Sequence, residues 1–145
     1  MTTSFKTEIL TATHNFGTAP TRGTGVADTF KAALYLASAS LGAGTTVYSS
    51  TGEVTGTNYT AGGVTVTNAT APTNSGTTAY WTPSASITYT NVTLSTSFDA
   101  VLIYNSSQTN KAVSVHTFGA QTITAGTFTL VMPTNGPGTA LLNIA

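Results

Sequence analysis

The sequence contains no cysteine and very few charged residues. Its 145 residues include only four Lys or Arg and four Asp or Glu, so the formal net charge is zero. Without cysteine the chain can form neither disulfide bonds nor thiolate metal sites. The four basic residues Lys6, Arg22, Lys31 and Lys111 are scattered, and they form no stripe that could neutralise successive phosphates. This pattern argues against nucleic acid as a partner.

Long apolar runs are also absent. No stretch is long enough to cross a bilayer, so we expect no contact with a membrane. The opening residues "MTTSFKTEILTATHNF" contain no continuous apolar segment, and we expect no signal peptide. Helical bundles usually carry Glu and Lys on their exposed faces, and this chain has too few of either.

Threonine supplies much of the polarity, at nearly a quarter of the chain, while 40% of the residues are hydrophobic. That hydrophobic fraction disfavours disorder, and β-branched residues suit a pleated sheet. An uncharged surface promotes association, so we expect the protein to work within an assembly.

The segment "ADTFKAALYLASASLGAG" fits two structures. Asp28 could cap a helix that Gly42 ends. Alternatively, Phe30, Ala32, Leu34 and Leu36 lie on one side of a strand and Ala33 and Tyr35 on the other. Two apolar faces would make it a central strand, and we favour this reading, with a turn or short helix across "SASLGAG".

Later segments predict strands more directly. "GVTVTN" alternates apolar and polar residues, and "DAVLIYN" is apolar on both sides, which marks the deepest strand. In "SITYTNVTLS" Ile87 and Tyr89 share one parity and Val92 and Leu94 the other, so a bulge or turn is needed near Thr90-Asn91.

The hairpin after the deepest strand turns at "SSQTN" and returns as "KAVSVHTF", with Val113 and Val115 expected on one face. "QTITAGTFTLVM" is expected to fold at Ala125-Gly126 and to align Phe128, Leu130 and Met132. "TALLNIA" is expected to be a final edge strand or a docked tail.

Short strands separated by Gly and Asn turns predict an all-β fold, a single β-sandwich of immunoglobulin-like or jelly-roll-like type over residues 27–145. Residues 1–26 differ, and we interpret them as an extended N-terminal arm. The arm would dock its apolar side chains on a partner or on its own domain. Its predicted contact residues are Phe5, Ile9, Leu10, Phe16 and Arg22.

The glycine-rich stretch "GEVTGTNYTAGGVTVTN" (residues 52–68) resembles a ligand-binding loop only superficially. A phosphate loop requires Gly-Lys-Ser/Thr at its end, and no lysine lies nearby. A dinucleotide fingerprint requires a following helix, whereas a strand is predicted here. Gly62-Gly63 is better explained as a turn that needs positive φ.

No catalytic or metal-binding pattern is present. The acids Glu8, Asp28, Glu53 and Asp99 lie in different segments, and nothing local pairs any two of them. No nucleophile elbow of the form GxSxG occurs. His14 and His116 have no acid at ligand spacing, so we expect no metal, no cofactor and no enzymatic activity.

One binding alternative rests on aromatic residues. Tyr80, Trp81 and Tyr89 could form a flat platform that stacks sugar rings. A single tryptophan in a β-sandwich is more often a core residue, so the platform is the weaker interpretation.

Several stretches resemble one protein family. They are "KAALYLASASLGAGTTVYSSTGEVTGTNYTAGGVTVTN", "AVLIYN", "NKAVSVHTFG" and "GTFTLVMP", over roughly residues 28–133. In these stretches the chain resembles small virion proteins encoded among the head and tail genes of tailed bacteriophages. This chain differs from the family in its N-terminal arm, which the shorter members lack.

The resemblance implies a non-enzymatic building block located in the virion. It also implies a symmetric homo-oligomer, first of all a trimer, because capsids offer threefold positions. It would be a capsid decoration or cement protein bound to the major capsid protein, or else a head–tail adaptor or tail component. The family brings no catalytic residue to this chain. A carbohydrate-binding or host-adhesion module is the alternative from another class.

Overall fold

The computed structural model describes residues 1–17 and 27–145. It is mostly β-structure in two antiparallel sheets, which confirms the predicted all-β, sandwich-like fold. In chain order the elements are α1 (Thr3–Leu10), β1 (Phe30–Leu36), β2 (Val64–Thr65), β3 (Thr73–Ser75), β4 (Thr78–Trp81), β5 (Ile87–Asn105), β6 (Lys111–Leu130) and β7 (Leu142–Ile144). None of the helices in these described ranges is long and apolar enough to cross a membrane.

The larger sheet has the strand order β2-β1-β5-β6 and the smaller one β3-β4-β7. A long hairpin of β5 and β6 dominates the larger sheet, and it turns at residues 106–110, as the "SSQTN" loop predicted. β7 pairs with β4, so the last residues do form an edge strand. The main core joins the larger sheet to Trp81 and Leu142 of the smaller sheet.

β1 is the central strand that the two-faced pattern predicted. It pairs with β2 on one side and with the end of β5 on the other. Phe30, Ala32 and Leu34 belong to the main core, whereas Ala33 and Tyr35 pack in a second cluster on the opposite face. The strand interpretation of this segment is therefore confirmed and the helix is wrong.

The parity change in β5 is resolved by a bulge at the predicted place. The register with β6 shifts between Tyr89 and Val92, and Asn91 adopts a φ of 51°. Asparagine tolerates this left-handed conformation better than most residues. Because of the bulge, Tyr89, Val92 and Leu94 all reach the main core.

Two predictions about β6 are wrong. The strand does not fold at Ala125-Gly126 but runs through it, with an irregularity at which Ala125 adopts a φ of 46°. Val113 and Val115 do not share a face, since Val113 lies in the main core and Val115 packs on the second cluster. Ser114 pairs with Ile103 and Ala112 with Tyr104, which leaves Val113 as an extra residue that changes the alternation.

Residues 1–17 do not have the extended form expected of an arm. Residues Thr3–Leu10 form α1, and Thr11 follows as its C-cap. The main-chain N–H of Thr2 donates to the carbonyl of Val113 at 2.9 Å, and that of Thr3 to Ala43 at 2.8 Å. Tertiary contacts with the sheet thus stabilise a helix too short to be stable alone.

Candidate functional site: an apolar surface beside the N-terminal helix

The N-terminal segment packs on its own domain through two aromatic side chains. Phe5 is buried in the main core at 1% exposure. Phe16 stacks on Phe30 with ring centroids 4.5 Å apart, and it contacts Trp81 at 4.7 Å. Of the two docking modes that the sequence left open, these two residues adopt the one on the chain's own domain.

The other predicted arm residues do not take part in this packing to the same degree. Leu10 is 87% exposed and Ile9 is 36% exposed on the outer side of α1. Arg22 lies outside the described residues. The docked helix therefore presents apolar side chains to solvent, where they are available to a neighbouring molecule.

These exposed side chains adjoin the edge of the smaller sheet. Ile144 of β7 is 43% exposed, and both Ile9 and Ile144 line an apolar cleft of about 180 Å³. Trp81 and Leu142 also line this cleft. We refer to Ile9, Leu10, Ile144 and this cleft as the α1–β7 surface. An exposed apolar patch of this kind is typical of a protein-binding site.

The predicted aromatic platform is not formed. Trp81 is 2% exposed, and its indole N–H donates to the carbonyl of Thr70 at 2.8 Å. Tyr89 is equally buried, and its hydroxyl donates to the carbonyl of Ala32 at 2.8 Å. Of the two tyrosines in the predicted platform, Tyr80 lines the cleft together with Trp81, and its side chain is half-buried. Sugar stacking needs exposed ring faces, and two of the three rings serve the core instead.

Polar side chains fasten the N-terminal segment beside this surface. The Glu8 carboxylate accepts hydrogen bonds from His14 Nε2 and from Lys111 Nζ, each at 2.9 Å. Asn105 Nδ2 donates to His14 Nδ1 at 3.0 Å and to Asp28 Oδ2 at 2.7 Å. We refer to these five residues as the polar clasp.

The clasp holds His14 as a neutral ring. Nε2 carries the ring proton and donates a hydrogen bond to Glu8, and Nδ1 accepts a hydrogen bond from Asn105 Nδ2. Burial lowers the pKa of His14 below its ordinary value of 6.5, although Glu8 partly opposes the shift. Burial alone would raise the pKa of Glu8, but its hydrogen bonds to Lys111 and His14 lower it. Sequence reasoning missed the clasp because its members are far apart in the chain.

Stability is expected to decrease as the pH falls below about 6.5. The unfolded chain binds a proton at His14 more readily than the folded chain, so the contribution of His14 is complete above 6.5 and is lost as the pH falls through its lowered folded pKa. Burial also lowers the pKa of His116, so this residue adds to the loss of stability at low pH. Urea unfolding from pH 7 to pH 5 measures the effect, and His14→Gln should flatten the profile. An unchanged slope in that variant would contradict this role.

A second polar cluster lies under the glycine-rich stretch and was also missed. Glu53 is 6% exposed, and it accepts hydrogen bonds from Tyr48 Oη at 2.6 Å, Tyr59 Oη at 2.7 Å and the main-chain N–H of Gly62 at 2.8 Å. Burial, together with hydrogen bonding to Glu53, raises the pKa of both tyrosines. Because three hydrogen bonds satisfy the Glu53 carboxylate, we interpret this cluster as one that stabilises the fold of the glycine-rich stretch.

His14 and His116 are both held by hydrogen bonds within the fold. His116 Nε2 forms a hydrogen bond with Ser114 Oγ at 2.9 Å, and no Asp or Glu takes part in this contact. Across residues 1–17 and 27–145, no three side chains of His, Cys, Asp or Glu are placed to hold a metal ion. No protein-family model, no curated protein and no solved structure matches the chain. The α1–β7 surface is therefore the candidate functional site.

Proposed function

We propose that this protein is a non-enzymatic structural component of a tailed-phage virion, and specifically a capsid decoration protein. The observation that supports the proposal is the α1–β7 surface, where Leu10 is left 87% exposed on a helix that is otherwise docked. A solvent-exposed leucine beside an apolar cleft gains free energy when a neighbouring protein covers it.

The charge distribution agrees with such a role. The chain has a net charge of zero. Among the described basic residues, Lys6 lines a cleft with Ile9, Leu10 and Ile144, whereas Lys111 is paired with Glu8. Recognition would depend on apolar burial, at about 25 cal/mol per Å² of covered area, rather than on electrostatic steering. Many weak contacts repeated over a particle surface then add up to stable attachment.

Leu10→Asp is expected to weaken binding to particles that lack this protein by about tenfold or more, because it places a charge in the apolar contact. The fold should be unaffected, since Leu10 is 87% exposed. Val47→Asp is the matched control, because Val47 is 49% exposed and lies outside the α1–β7 surface. Co-sedimentation with particles measures the binding of both variants.

Binding of Leu10→Asp at the wild-type level would overturn the assignment of this surface. The same assay separates the possible locations, because isolated capsids and isolated tails can be offered in turn. Binding to capsids alone supports decoration, whereas binding to tails alone would favour the tail-component alternative.

A further inference from the structure

We propose that β6 pairs with β6 of a second copy of this chain, edge to edge and antiparallel, through Gly126–Leu130. The two sheets have four edge strands, and three of them contain only two or three residues, namely β2, β3 and β7. Short edges are one way in which proteins prevent unwanted pairing. β6 is the exception, with 20 residues.

Within residues 1–17 and 27–145, the outer side of β6 lacks main-chain partners over most of its length. There, only its first residues bond beyond β5: the carbonyl of Val113 accepts from Thr2, and the N–H of Ala112 donates to Thr46. From Val115 to Leu130, no other main-chain group in the described part of the chain bonds to this side. Unpaired N–H and C=O groups along an edge provide the hydrogen bonds that an added strand requires.

The sequence of β6 lacks the residues that normally protect an edge. No charged residue and no proline lies between Ala112 and Met132. Lysine and proline are the usual protection at such positions. When two copies of this strand pair, no like charges face each other, and no proline leaves a main-chain N–H missing. A second copy of the chain can therefore pair with this edge.

Irregularities in β6 locate the pairing more narrowly. Extra residues interrupt β6 between Thr117 and Gln121 and again at Thr124-Ala125, and such bulges twist an edge away from a partner. In the last stretch, Gly126–Leu130, the one extra residue lies on β5 instead, between Tyr89 and Val92. Next to it Val131 is 79% exposed, and a second copy would cover this side chain.

Antiparallel pairing of the same stretch from two copies is symmetric about a two-fold axis. Each copy offers and accepts the same surface, so the assembly closes as a dimer instead of growing into a fibre. This symmetry differs from the threefold arrangement that the family resemblance implies. The inference does not depend on the proposed function, because it concerns the purified protein alone.

The test adds two lysines to each copy, either at the edge or one strand inside it. Thr127→Lys/Thr129→Lys places them on β6, and Thr88→Lys/Thr90→Lys places them on β5, all at exposed positions. The two sites are closely matched, since the hydroxyls of Thr88 and Thr129 are 3.4 Å apart. Sedimentation velocity up to about 1 mM protein covers the weak affinities expected of a short interface.

We expect a concentration-dependent dimer for the wild type and for the β5 variant. The β6 variant should dimerise about tenfold more weakly, because the added lysines of the two copies then face each other between the paired β6 strands. Salt at about 1 M should restore its dimer, since the Debye length falls to about 3 Å. In the wild-type dimer, hydrogen exchange should slow at alternate amides of Gly126–Leu130.

Three results would overturn the pairing. The first is a wild type that stays monomeric over the whole concentration range, and the second is equal dimerisation of both lysine variants. The third is a loss of dimer in the β6 variant that high salt does not restore, because repulsion between the added lysines would then not be the cause. Particle binding is measured separately, so failure of either proposal leaves the other intact.

Discussion

Gly63→Ala is expected to be the most destabilising Gly→Ala substitution among the glycines that the structure describes. A Cβ atom at position 63 would lie 1.7 Å from the carbonyl oxygen of Ala32 and 2.7 Å from the Cα of Ala33. Both are main-chain atoms of the central strand β1, so neither can move without disturbing the sheet. We expect a loss of more than about 4 kcal/mol in the free energy of unfolding, which could prevent folding altogether.

Gly76→Ala is the matched control for this prediction. Gly63 has a φ of 70° and Gly76 a φ of 56°, so both substitutions add left-handed strain, but a Cβ at Gly76 meets nothing within 4 Å. Strain alone costs about 1–2 kcal/mol. Urea unfolding followed by the fluorescence of Trp81 compares the two variants. Equal losses would show that close approach to β1 does not constrain Gly63.

The pattern of apolar residues along the chain was sufficient to predict the strands that are buried on both faces. The two-faced pattern of Phe30–Leu36 and of residues 100–105 requires apolar contacts above and below, which only a central strand has. The bulge at Asn91 was predictable for a similar reason, because a change of parity within one strand has few solutions.

The features that were missed depend on contacts between distant residues. Residues Thr3–Leu10 show no steady helical period, and the helix forms because Thr2 and Phe5 bind to the sheet. Ala125-Gly126 has the composition of a turn, yet β5 continues beside it and keeps β6 extended. Propensity was overridden by tertiary structure in both cases.

The candidate site was predictable only in part. Apolar residues at Ile9 and Leu10 indicated a contact surface, and their exposure on α1 agrees with that role. The sequence contained no sign that β7 would lie next to them, because the two segments are separated by almost the whole chain. Clustering of this kind is set by topology.

Glu53→Ala is expected to cost about 3 kcal/mol or more in the free energy of unfolding. The substitution leaves the hydroxyls of Tyr48 and Tyr59 and the main-chain N–H of Gly62 without their acceptor. Each buried donor without a partner costs about 1–3 kcal/mol, although losses within one cluster do not add fully. Urea unfolding of the purified variants measures the loss.

Glu53→Gln separates the hydrogen bonds from simple packing. Glutamine has nearly the same shape and keeps one acceptor oxygen, so its loss should fall between those of the wild type and of Glu53→Ala. Tyr48→Phe provides the second check, because the Tyr48 hydroxyl donates to Glu53 Oε2. This substitution should be costly in the wild type and nearly neutral in Glu53→Ala, where the hydroxyl has no acceptor to lose. If Tyr48→Phe costs the same in both backgrounds, the hydrogen bond between the Tyr48 hydroxyl and the Glu53 carboxylate does not contribute to the stability of the cluster.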